Sequence, residues 1–390
     1  LDEFHAYRNL MINSGIRSAV NPGSQRAEDL SAKLHWLRRA TNSTHVVLGL
    51  TATPVMNRVS EMWVCGKLIA PATLEALGMD VHDGWAAMFA RTVTLVEVKP
   101  EGNGFHTVDR FARFANLPEL FQWWRRFVEV HTDEELGTVK PKANRLTTVT
   151  PSTDSLAEVM AGIARRAQLV RLRAVGPEED NLLAICTTSR LAALDPRLVD
   201  NGLSVEADSK IEAAAFDIAL RWLEGSELVY THNGETHGRP GDLQLVFCDL
   251  GTPGPGKPWT AYGELRRVLM SYGVPSSEIA FVQDYSTDAA KADLFARCRD
   301  GRVRILIGST ETMGTGLNVA ERMTAIHHLT PPMRPLDLDQ RDGRGLRPGN
   351  QNSTVDIVTY VAEGSGDAFN WELLTRKAGW LAQLTNGTAA

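Results

Sequence analysis

Two carboxylates stand at the head of the chain, in Asp2-Glu3-Phe4-His5. An Asp-Glu pair at a strand end can hold Mg²⁺ with the first carboxylate, through the metal's water shell, and polarise an attacking water with the second. About fifty residues on, the apolar run His45 to Leu50 leads into Thr51-Ala52-Thr53-Pro54. Small hydroxyl residues placed there can hydrogen-bond both a neighbouring carboxylate and an opposing lobe. Far downstream, Val303 to Ile307 runs into Gly308-Ser309-Thr310 and then Gly314-Thr315-Gly316-Leu317-Asn318. Glycines in such a segment let backbone N–H groups approach phosphates closely. Arg341, Arg344 and Arg347 then recur every third residue between Gln340 and Asn350, so that two or three share one face of a helical turn. Arginines so presented can stabilise charge on a transferring γ-phosphoryl group. Taken singly, each signal also has a plain reading: an exposed acidic turn, a proline-terminated turn, a solvated basic face.

Two other segments imitate chemistry. Gly251 to Lys257 has the Gly-x4-Gly-Lys spacing of a phosphate loop. Pro258 stands where the Mg²⁺-binding hydroxyl belongs, however, and Pro253, Pro255 and Pro258 remove N–H donors, so a surface loop is predicted. Phe121-Gln-Trp-Trp-Arg-Arg-Phe127 resembles an aromatic and basic nucleic-acid patch, but Phe121, Trp124 and Phe127 or Val128 fall on one helical face. A core stripe beside solvated arginines is expected there.

The elements that position these residues differ between the two halves. Gln25 to Arg39 has helical spacing, and His45 to Leu50 has the look of a short buried strand. Glu61 to Val130 is predicted to be mostly helical, broken by a loop at Pro100 to Gly104, and the polar stretch Gly137 to Ser152 to be a linker. Leu156, Val159, Met160, Ile163, Ala167 and Val170 mark an amphipathic helix. Strand-like runs then fall at 243–248, 279–282, 303–307, 324–328 and 355–360, alternating with helical runs at 261–271, 287–298, 336–345 and 367–384. Strict alternation predicts βαβ units and a parallel sheet.

Composition sets outer bounds. The 390 residues are 43% hydrophobic and 23% charged with a formal net charge of −6, which fits a globular protein of two or three domains. An acidic total does not preclude a basic cleft. Cys65, Cys186, Cys248 and Cys298 have neither zinc-ligand nor redox spacing, as expected of a cytoplasmic protein. No stretch approaches the ~18 apolar residues of a membrane span. The chain opens on Leu1 rather than Met, directly on a charged motif, and a piece of a longer protein is expected.

In order and separation, the Asp2, Thr51, Gly308–Asn318 and Gln340–Asn350 segments resemble motifs II, III, V and VI of superfamily 2 helicases. Leu50-Thr-Ala-Thr-Pro54, Gly314-Thr-Gly-Leu-Asn-Val-Ala320 and Arg344-Gly-Leu-Arg-Pro-Gly-Asn350 look closest to the Swi/Snf-like branch. Val246-Phe-Cys-Asp249 fits motif IV. Together with Glu278-Ile-Ala-Phe281 and Leu306-Ile-Gly-Ser-Thr310, the run Val246 to Pro253 is similar to phage and mobile-element proteins that join an adenine-specific DNA methyltransferase to such a motor. The resemblance implies an α/β fold of two RecA-like lobes, parallel sheets flanked by helices, with helical insertions between them. The expected division is a truncated first lobe at 1–150, a helical linker region at 151–203 and a second lobe at 204–390.

It also implies a motor driven by ATP and Mg²⁺ on double-stranded DNA. Asp2 (the metal residue), Glu3, Arg344 and Arg347 would be catalytic. His5, Thr51, Thr53, Gly314, Gly316, Asn318 and Gln340 would bind ATP or couple the lobes, and Ser309 and Thr310 would touch nucleic acid. Arg341, first of the run, is expected to face the lobe's own core or solvent. An upstream methyltransferase is the implied partner domain, and the piece alone is expected to hydrolyse little ATP. Within the chain, Asn21-Pro-Gly23 and Pro331-Pro-Met333 lack the Asn- or Asp-Pro-Pro-aromatic loop of a methylase. The alternative is a non-catalytic module, derived from a motor, that binds nucleic acid or a partner.

Overall fold

Strand and helix do alternate from Leu243 onward, and in the computed structural model these five strands and one from earlier in the chain build a sheet of six parallel strands. The structure describes all residues except 17–18, 52–54, 56–57, 99–104, 132–134, 136, 177, 205–206, 233, 255, 257–258, 314–317 and 387–390.

The first region begins with a short helical turn at Phe4–Tyr7, followed by α1 (Gln25–Thr41), α2 (Ser60–Ile69), α3 (Pro71–Ala76) and α4 (His82–Phe89). Ser24 starts α1 by accepting a hydrogen bond from the Ala27 amide at 3.3 Å. β1 (Ala90–Val98) and β2 (Phe105–Phe114) then form an antiparallel hairpin, and α5 (Leu117–Trp124) follows. The hairpin corrects the expectation of mainly helical structure from 61 to 130. Its β-branched run Thr92-Val-Thr-Leu-Val96 favours a strand, and the expected loop at 100–104 lies outside the described residues.

Aromatic packing holds this region together. Trp123 lies between Trp85, Phe89 and Phe127, with centroids 6.3, 6.3 and 5.1 Å away. Leu120, Trp123 and Trp124 are buried while Phe121, Phe127 and Val128 are only half-buried and Arg125 and Arg126 are exposed, so this segment is core, as expected, on a stripe shifted from the one predicted.

The run His45 to Leu50 departs from expectation. It is extended but forms no assigned strand, and Leu48 is 73% exposed. Its ladder is short: the Leu1 amine donates to Leu48 O at 2.7 Å, Leu50 N to Leu1 O at 2.8 Å and Phe4 N to Leu50 O at 2.9 Å. Val46 and Val47 face the core, and Gly49 lies so close to Phe4 that a Cβ there would stand 2.6 Å from its ring.

The supposed linker at 137–152 is corrected more sharply. Lys142–Thr150 is β3, paired in parallel along its whole length with β10 (Thr354–Ala362). It is an edge strand with most side chains in water, and this accounts for its polar composition. The first lobe, expected to end at residue 150, therefore takes in a whole strand that belongs to the C-terminal sheet.

α6 (Asp154–Arg171) buries Leu156, Met160, Ile163 and Ala167, as its spacing predicts, and packs against α7 (Leu182–Leu194). α8 (Lys210–Glu224) and a small hairpin of β4 (Thr231–His232) and β5 (Glu235–Thr236) lead into the sheet. There β6 (Leu243–Phe247), α9 (Ala261–Ser271), β7 (Ile279–Phe281), α10 (Asp288–Arg299), β8 (Ile305–Gly308), α11 (Thr310–Met313), β9 (Met323–His328), α12 (Pro335–Asp342), β10 and α13 (Asp367–Asn386) follow in turn.

The strand order is β3-β10-β9-β6-β8-β7, every pair parallel. Parallel strands covered on both faces are near-continuously apolar, and β6 and β8 are buried at every position. This is the helix-flanked parallel sheet expected of a RecA-like lobe.

Candidate functional site

The catalytic candidates converge from opposite ends of the chain. Asp2 and Glu3 are exposed beside the Phe4–Tyr7 turn, and Glu3 has a left-handed φ of 50°. Such a backbone is uncommon for a non-glycine residue. Asp2 Oδ1 accepts the Glu3 amide at 2.9 Å. His5 Nδ1 lies 3.1 Å from Glu3 Oε2 and 3.1 Å from Thr51 Oγ1, so the acidic motif and the Thr51 segment meet at His5. Burial lowers the His5 pKa, Glu3 raises it, and Arg8 and Arg334 lower it further.

From the sheet side, the half-buried Arg344 and Arg347 follow the end of α12. Burial and the Arg347 charge lower the Arg344 pKa, while Glu3 raises it, so Glu3 and Arg344 feel one another across the two halves. The N-terminal end of α12 makes a second junction: the charges of Arg334 and Asp337 act on both His5 and Arg8. Arg8 is itself 3.5 Å from the buried Glu61.

Next to this junction is an open cavity of about 690 Å³. Asp249, Gln283, Ser309, Thr310, Asp337 and Gln340 line it, with Thr252 and Pro253 of the decoy phosphate loop at its rim. Asn318 is exposed, and its carbonyl accepts from Arg299 at 3.0 Å. Thr53, Gly314 and Gly316 lie outside the described residues.

Thr310 and Arg341 are placed most distinctly. Thr310 Oγ1 donates to Asp249 (2.9 and 3.1 Å to the two oxygens) and accepts from Arg341 Nη2 at 2.7 Å and Nε at 3.0 Å. Its hydroxyl is thus engaged within the lobe. Ser309 Oγ lies 3.1 Å from Thr312 Oγ1. Of the two locations expected for Arg341, the structure selects the core: its side chain is 1% exposed.

Sequence reasoning missed the groups around Arg341. The guanidinium also donates to Asp249 Oδ2 at 2.6 Å and Thr330 O at 2.9 Å, and meets His328 Nδ1 at 3.3 Å. All five of its N–H groups find acceptors, as a buried arginine requires. With Nδ1 accepting, His328 donates from Nε2 to Asp342 Oδ1 at 2.9 Å, and Asp342 Oδ2 receives Arg145 of β3 at 2.8 Å. Burial keeps His328 below its usual pKa although Asp342 pulls it upward. An adjacent His327-His328 pair closing an apolar strand was the available signal.

The donors present fit a magnesium-bound polyphosphate. Mg²⁺ is a hard cation that takes one or two carboxylates and otherwise water and substrate phosphate oxygens. Asp2 and Glu3 offer such oxygens, and Arg344 and Arg347 offer positive charge. Among the described residues no group of three or more His, Cys, Asp or Glu side chains forms a complete metal cage. Likewise among them, no helix is long and apolar enough to cross a membrane.

Residues 1–132 match a family model described as "Probable helicase domain". Over 86 residues, 22% of this chain, the sequence is 37% identical to "Defense against restriction protein B" of Escherichia phage P1, and it spans 4% of that protein's length. Among solved structures, the C-terminal part of the Fun30 ATPase domain aligns with a TM-score of 0.44 and 11% identity, covering 64% of this chain and 100% of that one. The helicase-domain match supports a helicase-like motor at that coarse level.

Proposed function

We propose that this chain is part of an ATP-driven motor that moves on double-stranded DNA, with Mg²⁺ and ATP held between its two halves. The observation that supports this reading is the meeting of the acidic motif and the Thr51 segment at His5, whose Nδ1 is 3.1 Å from both Glu3 Oε2 and Thr51 Oγ1, with the Glu3 charge also raising the Arg344 pKa. Asp2 would hold Mg²⁺ through its water shell, and Glu3 would polarise the attacking water. Arg344 and Arg347 would stabilise charge developing on the γ-phosphoryl group, with Gln340, Asn318, Gly314 and Gly316 bordering the nucleotide. His5 and Thr51, 3.1 Å apart, together with Thr53, would transmit the state of the nucleotide to the opposing half. Ser309 would contact the DNA backbone, and Thr310 would support it from within. Bound Mg²⁺ supplies charge neutralisation; orientation falls to the residues named.

The division that suits the sheet ends the first region before Lys142 and counts β3 with the second. The similarity to methyltransferase–motor fusions supports an adenine methyltransferase as a partner domain of the same polypeptide, acting in the cytoplasm.

The test is DNA-stimulated ATP hydrolysis by the longest polypeptide the reading frame encodes, compared with its Glu3→Gln variant. Loss of the general base should lower kcat by on the order of 10²–10⁴ while nucleotide binding stays within a few-fold. Unchanged turnover in Glu3→Gln sinks the assignment. DNA binding without hydrolysis in either chain favours the binding module instead.

A further inference from the structure

Arg341 ties together segments with different proposed tasks. Asp249 follows β6, Thr310 opens α11 after β8, and His328 and Thr330 close β9; the arginine that bonds all of them belongs to α12. Further bonds hold the same groups: the Thr310 amide donates to Asp249 Oδ1 at 2.7 Å, and the Asp249 amide to Thr330 Oγ1 at 2.9 Å. On the other side of Arg341, the Arg344 amide bonds to the Arg341 carbonyl at 3.1 Å, and the amides of Gly345 and Leu346 bond to that of Asp342 at 3.1 and 2.9 Å. The turn that presents Arg344 therefore hangs on the backbone of the residue whose side chain holds Thr310. Asp342, next in sequence, is fixed by His328 and Arg145.

We propose that Arg341 is a positioning residue that links the Ser309–Thr310 segment mechanically to the Arg344–Arg347 turn, so that displacement of one is felt at the other. The tasks of the two ends rest on the motor reading, whereas the linkage is a property of this chain and can be tested alone. A fully satisfied buried guanidinium has one well-defined arrangement, and loss of a partner leaves charge uncompensated in a dry site. A shift of Thr310 must therefore move either Arg341 or its other acceptors.

Hydrogen exchange read at single amides provides the test. Arg341→Met would disrupt the core itself, so the working variants are Thr310→Val, which keeps the shape and removes the hydroxyl, and Asp249→Asn, which keeps the size and removes the charge. Each should speed exchange at Arg344, Gly345 and Leu346 by on the order of tenfold, while amides in β6 and β9 hold their rates. Faster exchange at Thr310 alone, with 344–346 at wild-type rates in both variants, overturns the linkage and leaves a local packing contact.

A second arm adds a duplex oligonucleotide of thirty base pairs. In the wild type it should slow exchange at both 309–313 and 344–346, and in Thr310→Val at 309–313 only. Equal protection of 344–346 in the two chains also overturns the linkage. If the duplex binds neither chain, the DNA-motor reading fails and the first arm still decides the linkage.

Discussion

The region before residue 130 and the sheet from 142 to 362 solve the same problem with different materials. The first wraps short helices and a hairpin around stacked and edge-on aromatic rings, with Trp85, Phe89, Trp123, Trp124 and Phe127 in mutual contact. The second layers apolar strands between helices and threads buried charge through them. Arg304 meets Asp242 at 2.5 Å, Lys210 meets Asp367, and His327 bridges Gln244 and Tyr360 at 2.9 Å each. Ring packing is short-range and tolerates a modest change of shape. A buried ion pair is exacting, because a partner removed leaves a charge stranded. The exacting material includes the bonds of Arg341 and Asp342, just before the Arg344–Arg347 turn, and the more forgiving core takes in Phe4, next to Asp2 and Glu3.

Deleting one component from each region tests this most strongly. Trp123→Ala should cost ~3–5 kcal/mol by loss of packing and cavity formation. Among the described residues its Nε1 has no hydrogen-bond partner to lose. Hydrogen exchange should show α2, α4 and α5 opening while the sheet stays protected. Asp242→Ala should cost a similar ~3–5 kcal/mol by stranding Arg304, with the pattern of opening reversed. If either substitution opens both regions equally, the two cores are one cooperative unit and the contrast fails.

At the junction of the regions, Arg344→Ala or Arg347→Ala should reduce ATP turnover by on the order of 10³ while DNA binding stays nearly constant. Steady-state kinetics beside a fluorescence binding isotherm separates the two quantities. Intact turnover with weakened DNA binding would turn the basic run into a phosphate-contacting face. Arg341, buried as it is, cannot serve as a neutral control; substitution there should lower stability first.

Acid should weaken the sheet gradually. Burial, then the charges of Arg221 and His328, holds His327 well below the usual histidine pKa, and burial likewise lowers His328. The unfolded chain takes up protons near pH 6.5 and the native histidines do not, so stability present above that pH is lost as pH falls toward their folded values. The slope should reach ~1.4 kcal/mol per pH unit for each histidine that stays neutral. Urea unfolding of the sheet region at pH 7, 6 and 5 measures it, and a flat profile would show that these histidines are not held neutral.

The smallest effect should be alike on both sides. Ser24→Ala and Thr260→Ala remove the side-chain caps of α1 and α9, which accept at 3.3 and 3.0 Å. Each should cost ~1 kcal/mol in thermal unfolding, because a cap is a local term. A large disparity would mean that the regions differ in more than their cores.

The same contrast governs how far the sequence could be read. β6, β7, β8, β9 and β10 and the helices α9, α10 and α12 were legible because each strand's apolar run and each helix's spacing are local signals in regular alternation, whereas the single turn of α11 was not read. β3 was not, since its partner lies more than two hundred residues on and its edge position leaves Asn144, Arg145 and Thr147 in water. The hairpin at 90–114 was hidden inside a helical expectation for similar reasons, as its strands find their register only in each other.

Among the site residues, Glu3, His5 and Thr51 could be proposed from type and order, and the structure groups these three. Asp249 was seen only as the end of a motif, and His328 and Asp342 not at all. Their significance comes from which side chain fills the space between them, and no spacing along the chain encodes that. Thr310 shows the converse, a hydroxyl read as outward-facing whose partners are internal.

The pairing of β3 with β10 also has a consequence in time. Asn144 and Asp356, bonded across this pair at 2.8 Å, are 212 positions apart. On a ribosome adding roughly 5–20 residues per second, the interval between their syntheses is ~10–40 s. Throughout it β3 exists as a polar segment without a sheet to join, and afterwards β10 is an open edge until β3 arrives. Long-range parallel pairing of this kind is slow to form. The assembly of the sheet should therefore end at this edge, where a strand that waits is kept harmless by being polar.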